Sequence, residues 1–339
     1  MRVETLISEP LFDSPQPPAK QSCIACGSVR AVEFLQAPDR FHGQTERYSL
    51  LRCSSCAFVW LDNPPPPKQL ARHYGPLYDS FIRKATEVAP ESHWSSARKG
   101  LLGHKQGGAL LDLGCGAGSF LNSIQGPEWQ LFGVEFSSES AQRAEAITGA
   151  KVFVGELSDA HFPEATFDAI TCFHVLEHTY CPQQIMNNVS RWLKPGGIFC
   201  VHVPNIAAAE ATLFGSYWYP LELPRHLFHF SPVSLRKMAR SAGLRELQLR
   251  TSKTSFVEYS LRYFCDDLLR RLGFKRTPLC RARAPHLAWR VIRKASRLTL
   301  LPLINMILRA AGEGQIIEAV FRKDPANSAD HLGPVRESD

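Results

Sequence analysis

The segment 110–120, LLDLGCGAGSF, most constrains what this 339-residue chain can fold into. An apolar run over 109–113 is typical of a strand that is covered on both faces of a sheet. Gly114, Gly116 and Gly118 follow, and glycine permits a tight turn and a close approach of the backbone to a ligand. The segment predicts a buried strand that ends in a ligand-binding turn and opens into a helix. A dinucleotide site has the spacing G-x-G-x-x-G, but here the third glycine comes one residue early.

A second predicted strand, QLFGVEFS over 130–137, carries an acidic residue near its end, Glu135. A carboxylate at this point can accept hydrogen bonds from both hydroxyls of a ribose. A helix follows with Ser137 as a good N-cap and Gly149 as its stop, and a short third strand covers 151–154. The distance between Glu135 and the glycine turn favours nucleoside binding over an exposed side chain at a strand end.

Strands and helices alternate along the rest of the core. Such alternation predicts a parallel, doubly wound α/β sheet, in which ligands bind beyond the carboxyl ends of the strands. The remaining predicted elements are a strand and its loop over 167–178, a helix from Pro182 to Leu193, a strand over 197–203, a helix over 231–242, a strand over 245–251 and a final strand over 315–321.

The glycine turn, Glu135 and LKPGG over 193–197 resemble, in this order, the motifs of the class I S-adenosylmethionine (SAM)-dependent methyltransferases. The resemblance implies a Rossmann-like, seven-stranded sheet whose last strand is antiparallel, with SAM as the cofactor. Glu156 departs from the family, which usually has Asp in that loop. The residues that the resemblance assigns to SAM binding are Asp112, Gly114, Cys115, Gly116, Gly118, Glu135, Phe136, Glu156, Leu157, Phe173 and His174.

Four of the ten cysteines form two CxxC pairs, Cys23/Cys26 and Cys53/Cys56. Paired thiolates at this spacing are typical of a tetrahedral Zn²⁺ site, and four unrelated thiols are the alternative. A site closed by four cysteines has no open coordination position, so we expect a structural zinc. The chain resembles a bacterial subgroup of the methyltransferases with an N-terminal zinc ribbon. This resemblance extends from Cys23 to about residue 250.

The motifs divide the chain into seven segments. The N-terminus has no apolar signal region, and no apolar run is long enough to span a membrane, which predicts a cytoplasmic protein. The predicted segments are a flexible tail over 1–20, a zinc ribbon over 21–63, a linker and helical lead-in over 64–108, a SAM-binding core over 109–251 with a substrate lid over 204–230, a basic helical insertion over 252–312, the final strand over 313–324 and a flexible tail over 325–339.

The net charge of +7 is concentrated in one region. Residues 261–310 hold twelve Lys and Arg against two Asp, and apolar and basic residues lie on opposite faces of a predicted helix over 287–298. Three interpretations stay open: a solvated helix on the core, peripheral contact with an anionic membrane or a lipid-linked substrate, and nucleic-acid binding. The loop FHVLEH over 173–178 lacks the N/D-P-P-Y/F pattern that is usual for methylation of exocyclic base amines, which argues against base N-methylation.

The predicted lid is crowded with aromatic and histidine side chains, and its PRHLFHFS element over 224–231 is the part most typical of the ribbon-bearing subgroup. A neutral histidine can accept a proton from a hydroxyl near pH 7. Arg225 would hold an anionic group of the acceptor or pair with Glu222 or Glu177. The candidate bases are His226, His178, His174 and His229, in that order, and Trp218 and Tyr219 are candidate acceptor contacts.

The sequence thus predicts a SAM-dependent methyltransferase that modifies a hydroxyl of a sugar, glycolipid, quinone-like compound or secondary metabolite. The alternatives are an RNA-directed methyltransferase, which would bind RNA with steep salt dependence, and a SAM-binding scaffold without turnover. The oligomeric state does not follow from the sequence.

Overall fold

The computed structural model describes residues 22–74, 91–252, 254–273 and 314–324. The predicted tails and the basic helix over 287–298 lie outside these residues. The strands are β1 (Ala31–Pro38), β2 (Arg47–Cys53), β3 (Val59–Leu61), β4 (Gly108–Leu113), β5 (Trp129–Glu135), β6 (Lys151–Val154), β7 (Phe167–Phe173), β8 (Leu193–Pro204), β9 (Phe228–His229), β10 (Leu244–Ser252) and β11 (Ile316–Lys323). The α-helices are α1 (Pro67–Leu70), α2 (Ser95–Leu102), α3 (Ser119–Ser123), α4 (Ser138–Thr148), α5 (Pro182–Trp192), α6 (Ala209–Phe214), α7 (Pro232–Ser241) and α8 (Val257–Arg271), and short 3₁₀ turns cover Ala71–His73, Glu91–Trp94, Leu176–His178, Gly215–Tyr217 and Tyr219–Leu221.

Seven strands form the predicted mixed sheet, in the order β10-β11-β8-β7-β4-β5-β6. The strands from β4 to β8 run parallel to one another, and β11 runs antiparallel to both β8 and β10. This order brings the carboxyl ends of β4, β5, β6 and β7 together at one edge, where ligands bind in such sheets.

Local signals explain where the core helices begin and end. The hydroxyl of Ser137 accepts a hydrogen bond from the backbone N–H of Ser140, and Gly149 ends α4 with a left-handed φ of 67°. Ser231 caps α7 in the same way, with Pro232 at the first helical position. These caps agree with the sequence-based boundaries to within a residue.

The LKPGG segment belongs to a strand that begins four residues before the predicted start at residue 197. Helix α5 ends at Trp192, and β8 begins at once with Leu193, which pairs with Phe167 of β7. The ammonium of Lys194 lies 2.6 Å from a carboxylate oxygen of Asp168, also in β7. This ion pair and the backbone pairing hold the segment against β7 as the first part of β8.

The CxxC segment forms a second, four-stranded sheet in the order β1-β2-β3-β9. Strands β1 and β2 pair antiparallel and form a hairpin between the two cysteine pairs. The fourth strand, β9, comes from the predicted lid: Val59 pairs with His229 and Trp60 with Phe228. The ribbon and the lid therefore share one sheet and one hydrophobic core.

Helix α8 is the part of the basic insertion that the structure describes. It packs on the lid, where the hydroxyl of Ser260 accepts a hydrogen bond from the backbone N–H of Tyr219 (3.0 Å) and the ring of Tyr219 stacks on that of Phe256. None of the helices in the described ranges is long and apolar enough to cross a bilayer.

Candidate functional site

The segment after β4 forms the tight glycine turn that its sequence predicts. Gly114, Gly116 and Gly118 have φ angles of 71°, 54° and 80°, a region that favours glycine. The N–H of Gly114 donates to the carbonyl of Val134 in β5 (2.8 Å), which fixes the turn to the neighbouring strand. A Cβ atom on Gly114 would overlap Cγ2 of Val175, so the turn also lies directly against the loop after β7.

Glu135, at the end of β5, organises this turn. Its two carboxylate oxygens accept the backbone N–H groups of Gly116 (3.0 Å) and Ser137 (2.9 Å). Burial raises the pKa of the carboxyl, and these two hydrogen bonds oppose the rise. A carboxylate held beside the turn in this way is oriented for the ribose hydroxyls of a nucleoside cofactor.

Asp112 and Phe173 form the inner wall of the site. Burial raises the pKa of Asp112 to about 7, although its carboxylate accepts a hydrogen bond from the hydroxyl of Thr171 (2.6 Å). The ring of Phe173 packs edge-on against Phe120, with ring centroids 4.8 Å apart, and both are buried. The two predicted SAM residues thus lie in the packed interior at the ends of β4 and β7.

The remaining predicted SAM residues lie near the carboxyl ends of β4, β5, β6 and β7. Cys115 is buried, Leu157 is half-buried, and Phe136 and Glu156 are exposed beyond the ends of β5 and β6. His174 is exposed, with a left-handed φ of 58°. The positive φ angles of the glycines and the oriented Glu135 carboxylate fit a SAM molecule that lies across the ends of these strands. Contacts of the individual residues with SAM stay predictions.

The four cysteines of the ribbon form one cluster. The sulfur atoms of Cys23 and Cys56 lie 3.5 Å apart, as do those of Cys26 and Cys53. All four lie within 4.8 Å of one another. Four thiolates around one zinc at about 2.3 Å would lie about 3.8 Å from each other, so the donors present fit a tetrahedral structural Zn²⁺. No cysteine outside the cluster is needed to complete it.

Three of the four candidate bases lie in one cluster between the lid and the loop after β7. The ring centroids of His178 and His226 are 4.5 Å apart, and those of His226 and His229 are 6.3 Å apart. Desolvation lowers the pKa of all three, to about 4 for His178 and to about 3 for His226 and His229. The imidazoles are therefore neutral at pH 7. His174 lies apart from them, on the exposed side of the same loop.

Hydrogen bonds orient the rings of His178 and His226. Nδ1 of His226 donates to the carbonyl of Pro220 (2.8 Å), because a carbonyl oxygen can only accept. Nδ1 of His178 lies 2.9 Å from the hydroxyl of Tyr74 and 3.2 Å from the carbonyl of Arg225. The proton on Nδ1 of His226 leaves its Nε2 with a lone pair.

Glu177 contributes a buried negative charge beside these rings. Within the described part of the chain, neither of its carboxylate oxygens has a hydrogen-bond partner. Nδ1 of His174 lies 3.6 Å from Oε1, and Glu177, His178 and His226 have side-chain nitrogen or oxygen atoms within 4.8 Å of one another. A carboxylate in this position stabilises positive charge on the neighbouring imidazoles.

Arg225 is fully buried and pairs with acidic residues, as one of the sequence-based alternatives expects. Its Nη2 lies 3.3 Å from Glu222. The second carboxylate is Asp39, whose Oδ2 lies 3.8 Å from Nη1. Asp39 comes from the ribbon, and no spacing or periodicity in the sequence connects it with the lid. Sequence reasoning missed Asp39 for this reason.

Trp218 and Tyr219 are both buried inside the lid. The indole N–H of Trp218 donates to the side-chain carbonyl of Gln315 (3.0 Å), and the ring of Tyr219 lies 4.8 Å from that of Tyr259 in α8. The two residues join the lid to β11 and to the insertion. Their contact with an acceptor stays a prediction.

Known proteins resemble this chain in sequence. The family described as a methyltransferase domain matches residues 89–249. A ubiquinone biosynthesis O-methyltransferase of Chromobacterium violaceum is 32% identical over 205 residues, which are 56% of this chain and 80% of that protein. A protein of the same name from Thiobacillus denitrificans is 28% identical over 186 residues, 50% of this chain and 78% of that protein.

Among solved structures, a SAM-dependent methyltransferase of Archaeoglobus fulgidus covers 73% of this chain and 100% of its own, with 16% identity and a TM-score of 0.48. The sequence match to the Chromobacterium enzyme is the stronger result, since it spans four fifths of that protein at 32% identity. From this match, on a sheet of this strand order, we conclude that the chain belongs to the class I SAM-dependent methyltransferases.

Proposed function

We propose that this methyltransferase transfers the methyl group of SAM to a hydroxyl of a small, hydrophobic, quinone-like acceptor. The sequence alone predicts hydroxyl acceptors more broadly, on sugars, glycolipids or secondary metabolites. Two observations favour the narrower class: the names of the relatives at 28–32% identity, and the six aromatic side chains of the lid over 204–230.

The geometry of His226 carries the proposal. Its Nδ1 proton is held by the carbonyl of Pro220 at 2.8 Å, so Nε2 can accept a proton. The ring lies against His178, and the N–H of Leu227 donates to the carbonyl of Glu177 (2.8 Å), which ties the lid to the loop after β7. That loop contacts the glycine turn through Val175. The chain of contacts joins the proposed base to the SAM side of the site.

The proposed reaction is an in-line displacement. The acceptor oxygen attacks the methyl carbon, the new C–O bond forms as the C–S bond of the sulfonium breaks, and S-adenosylhomocysteine leaves. The hydroxyl proton passes to Nε2 of His226. The chain mainly aligns the two reactants and receives the proton, which together supply most of the rate acceleration that such a transfer needs. Oε2 of Glu222 lies 3.9 Å from Nε2 of His226, and the carboxylate of Glu177 lies in the same cluster, so both can stabilise the imidazolium that forms.

Incubation of the protein with methyl-labelled SAM and a fractionated lysate tests the acceptor class. We expect the label in organic-extractable compounds of quinone-like polarity. Label confined to RNA would overturn the proposal in favour of the RNA-directed alternative. SAM binding without labelling of any fraction would overturn it in favour of a scaffold.

Variants of His226 test the base. We expect His226→Ala to lower the rate by about 10²-fold or more while SAM binding is kept. His161→Ala is the matched control, because His161 is an exposed histidine on the loop after β6. Undiminished transfer by His226→Ala would remove this residue from the mechanism, and His178→Ala would then test the second candidate.

We further propose that the enzyme meets a hydrophobic or lipid-linked acceptor at an anionic membrane surface. Phe264 and Leu268 on α8 and Leu272 directly after it are exposed at a spacing of four residues. Residues 272–310 follow with nine Lys and Arg and no acidic residue. The predicted cytoplasmic location is consistent with such contact and stays a prediction.

Sedimentation with lipid vesicles tests the membrane proposal. We expect binding to vesicles that contain phosphatidylglycerol, weaker binding at high salt, and little binding to phosphatidylcholine alone. Leu268→Glu should weaken binding. Val233→Glu, an exposed apolar position on α7, is the control. Equal binding to both kinds of vesicle would contradict an electrostatic contribution.

A further inference from the structure

The lid of this methyltransferase is built on the ribbon. Strand β9 of the lid completes the ribbon sheet, and the N–H of Leu61 donates to the carbonyl of Leu227 (2.8 Å). The ring of Phe58 lies parallel to that of Phe228 at 5.9 Å and packs on Phe230 at 5.6 Å. The segment that holds the proposed base is therefore anchored to the ribbon on both sides of β9.

A buried carboxylate lies where the ribbon, the linker and the lid meet. Asp39, directly after β1, is fully buried. Its Oδ2 accepts the Nδ1–H groups of His42 (2.8 Å) and His73 (2.7 Å), and its Oδ1 accepts the backbone N–H of His42. Burial raises the pKa of this carboxyl, but the two imidazoles and Arg225 lower it further, so that it lies well below its usual range. Asp39 is thus a permanent negative charge in the interior.

The charge of Asp39 faces Arg225 of the lid. The guanidinium is fully buried, lies over the ring of Phe41 (4.9 Å from Cζ to the centroid) and has Glu222 as its second carboxylate. A buried cation that loses one of its counter-charges is strongly destabilised in its position. Asp39 therefore helps to keep Arg225 inside the lid.

The backbone of Arg225 links this charge cluster to the imidazoles. Its carbonyl lies 3.2 Å from Nδ1 of His178 and accepts a hydrogen bond from the hydroxyl of Tyr74 (3.4 Å). A shift of Arg225 would displace His226, the next residue in the chain. It would also displace the carbonyl group that lies beside Nδ1 of His178.

We infer that the ribbon is a working part of the acceptor site, with Asp39 as a positioning residue that holds Arg225 and, through it, the rings of His226 and His178. The inference rests on the proposed role of His226 and adds the ribbon to that site. The SAM side, which is built on β4, β5 and β7, makes none of the contacts described for Asp39 and does not depend on it.

Asp39→Asn tests the inference, because the amide has nearly the same shape without the charge. Glu33→Gln is the matched control, since Glu33 is an exposed carboxylate on the same ribbon strand. We expect both variants to keep zinc and to bind SAM within about twofold of the parent protein. In Asp39→Asn alone, amide hydrogen exchange over 216–230 should accelerate at least tenfold.

Nitrogen NMR of ¹⁵N-histidine-labelled protein gives a second readout that needs no acceptor. In the parent protein we expect His226 in the Nδ1-protonated tautomer, and in Asp39→Asn a mixture of tautomers as the bond to Pro220 loosens. The double variant Asp39→Asn/Arg225→Met removes both charges and should restore slow exchange in the lid. With an acceptor in hand, Asp39→Asn should raise KM for the acceptor and lower kcat, with KM for SAM unchanged.

Unchanged lid exchange and an unchanged His226 tautomer in Asp39→Asn would overturn the inference. So would an equal loss of SAM binding, because that would show a general loss of folding. These readouts do not depend on the identity of the acceptor, so a wrong acceptor class would leave their interpretation intact.

Discussion

Gly114 lies directly against Val175, so closely that a Cβ atom on the glycine would overlap Cγ2 of the valine. The glycine turn, which is predicted to bind SAM, is therefore packed against the loop that carries His174, Glu177 and His178. An added side chain on Gly114 would force this loop to shift.

Gly114→Ala should weaken SAM binding and destabilise the fold. The left-handed φ costs about 1–2 kcal/mol for a residue with a Cβ, and overpacking against Val175 adds about 1–3 kcal/mol. We expect at least tenfold weaker SAM binding by calorimetry. Gly149→Ala is the control: its φ is also left-handed, but no atom lies within 4 Å of the added Cβ. Equal effects of the two variants would contradict the packing argument.

Glu135→Gln should weaken SAM binding without unfolding the protein. The amide nitrogen of Gln would face one of the two backbone donors, Gly116 or Ser137, and could not accept from it. Loss of hydrogen bonds to a charged group costs about 1.5–3 kcal/mol, or roughly 10- to 100-fold in affinity. Glu139→Gln, on the exposed first turn of α4, should leave the affinity unchanged. Equilibrium dialysis with labelled SAM measures both.

Cys53→Ser should remove the predicted zinc. We expect metal analysis of the purified parent protein to give one zinc per chain, and the variant to give none, because one of four thiolates is lost. Cys181→Ser changes a half-buried cysteine outside the cluster and should keep the metal. Full zinc occupancy in Cys53→Ser would refute a site closed by these four sulfurs.

His229 should make the fold sensitive to acid. Desolvation and His226 lower the pKa of its imidazole to about 3 in the folded chain, against about 6.5 in an unfolded one. Between these values the unfolded chain binds more protons, so the free energy of unfolding falls as the pH drops below about 6.5. His229→Phe should reduce this slope by at most about 1.4 kcal/mol per pH unit.

Urea unfolding at pH 7, 6 and 5 measures the slope. The exposed His161 serves as the control, and His161→Phe should leave the slope as it is in the parent protein. A slope that does not change in His229→Phe would mean that His229 takes up its proton without unfolding.

Elements with local signals were predictable from the sequence. Strand β6 covers the predicted residues 151–154, and β4 and β5 each begin one residue before the predicted start. Ser137 and Gly149 mark the ends of α4 through capping geometry, which depends on neighbouring residues alone. The glycine turn and Glu135 were recognised from the same kind of short-range sequence pattern.

The contacts between the ribbon and the lid were not predictable from the sequence. Strand β9 is two residues long, so it has no periodicity, and its partner Trp60 lies far away in the chain. Asp39 carries no pattern that connects it with Arg225. Such pairings arise from the packing of whole segments, which a single sequence does not reveal. The ranking of His226 first among the four histidines came from the sequence and stays a prediction.

The sixty-residue insertion leaves and rejoins the sheet at a single point. Ser252 of β10 is paired with Ile316 of β11, and its carbonyl accepts the N–H of Gln315 (2.9 Å). Thr251 closes the same junction through its hydroxyl, which accepts the N–H of Gly314 (2.8 Å). Because loop-closure entropy grows slowly with length, a hairpin closed in this way tolerates segments of very different length between its ends. The junction is thus a position at which the inserted segment can be exchanged while the register of the sheet stays the same.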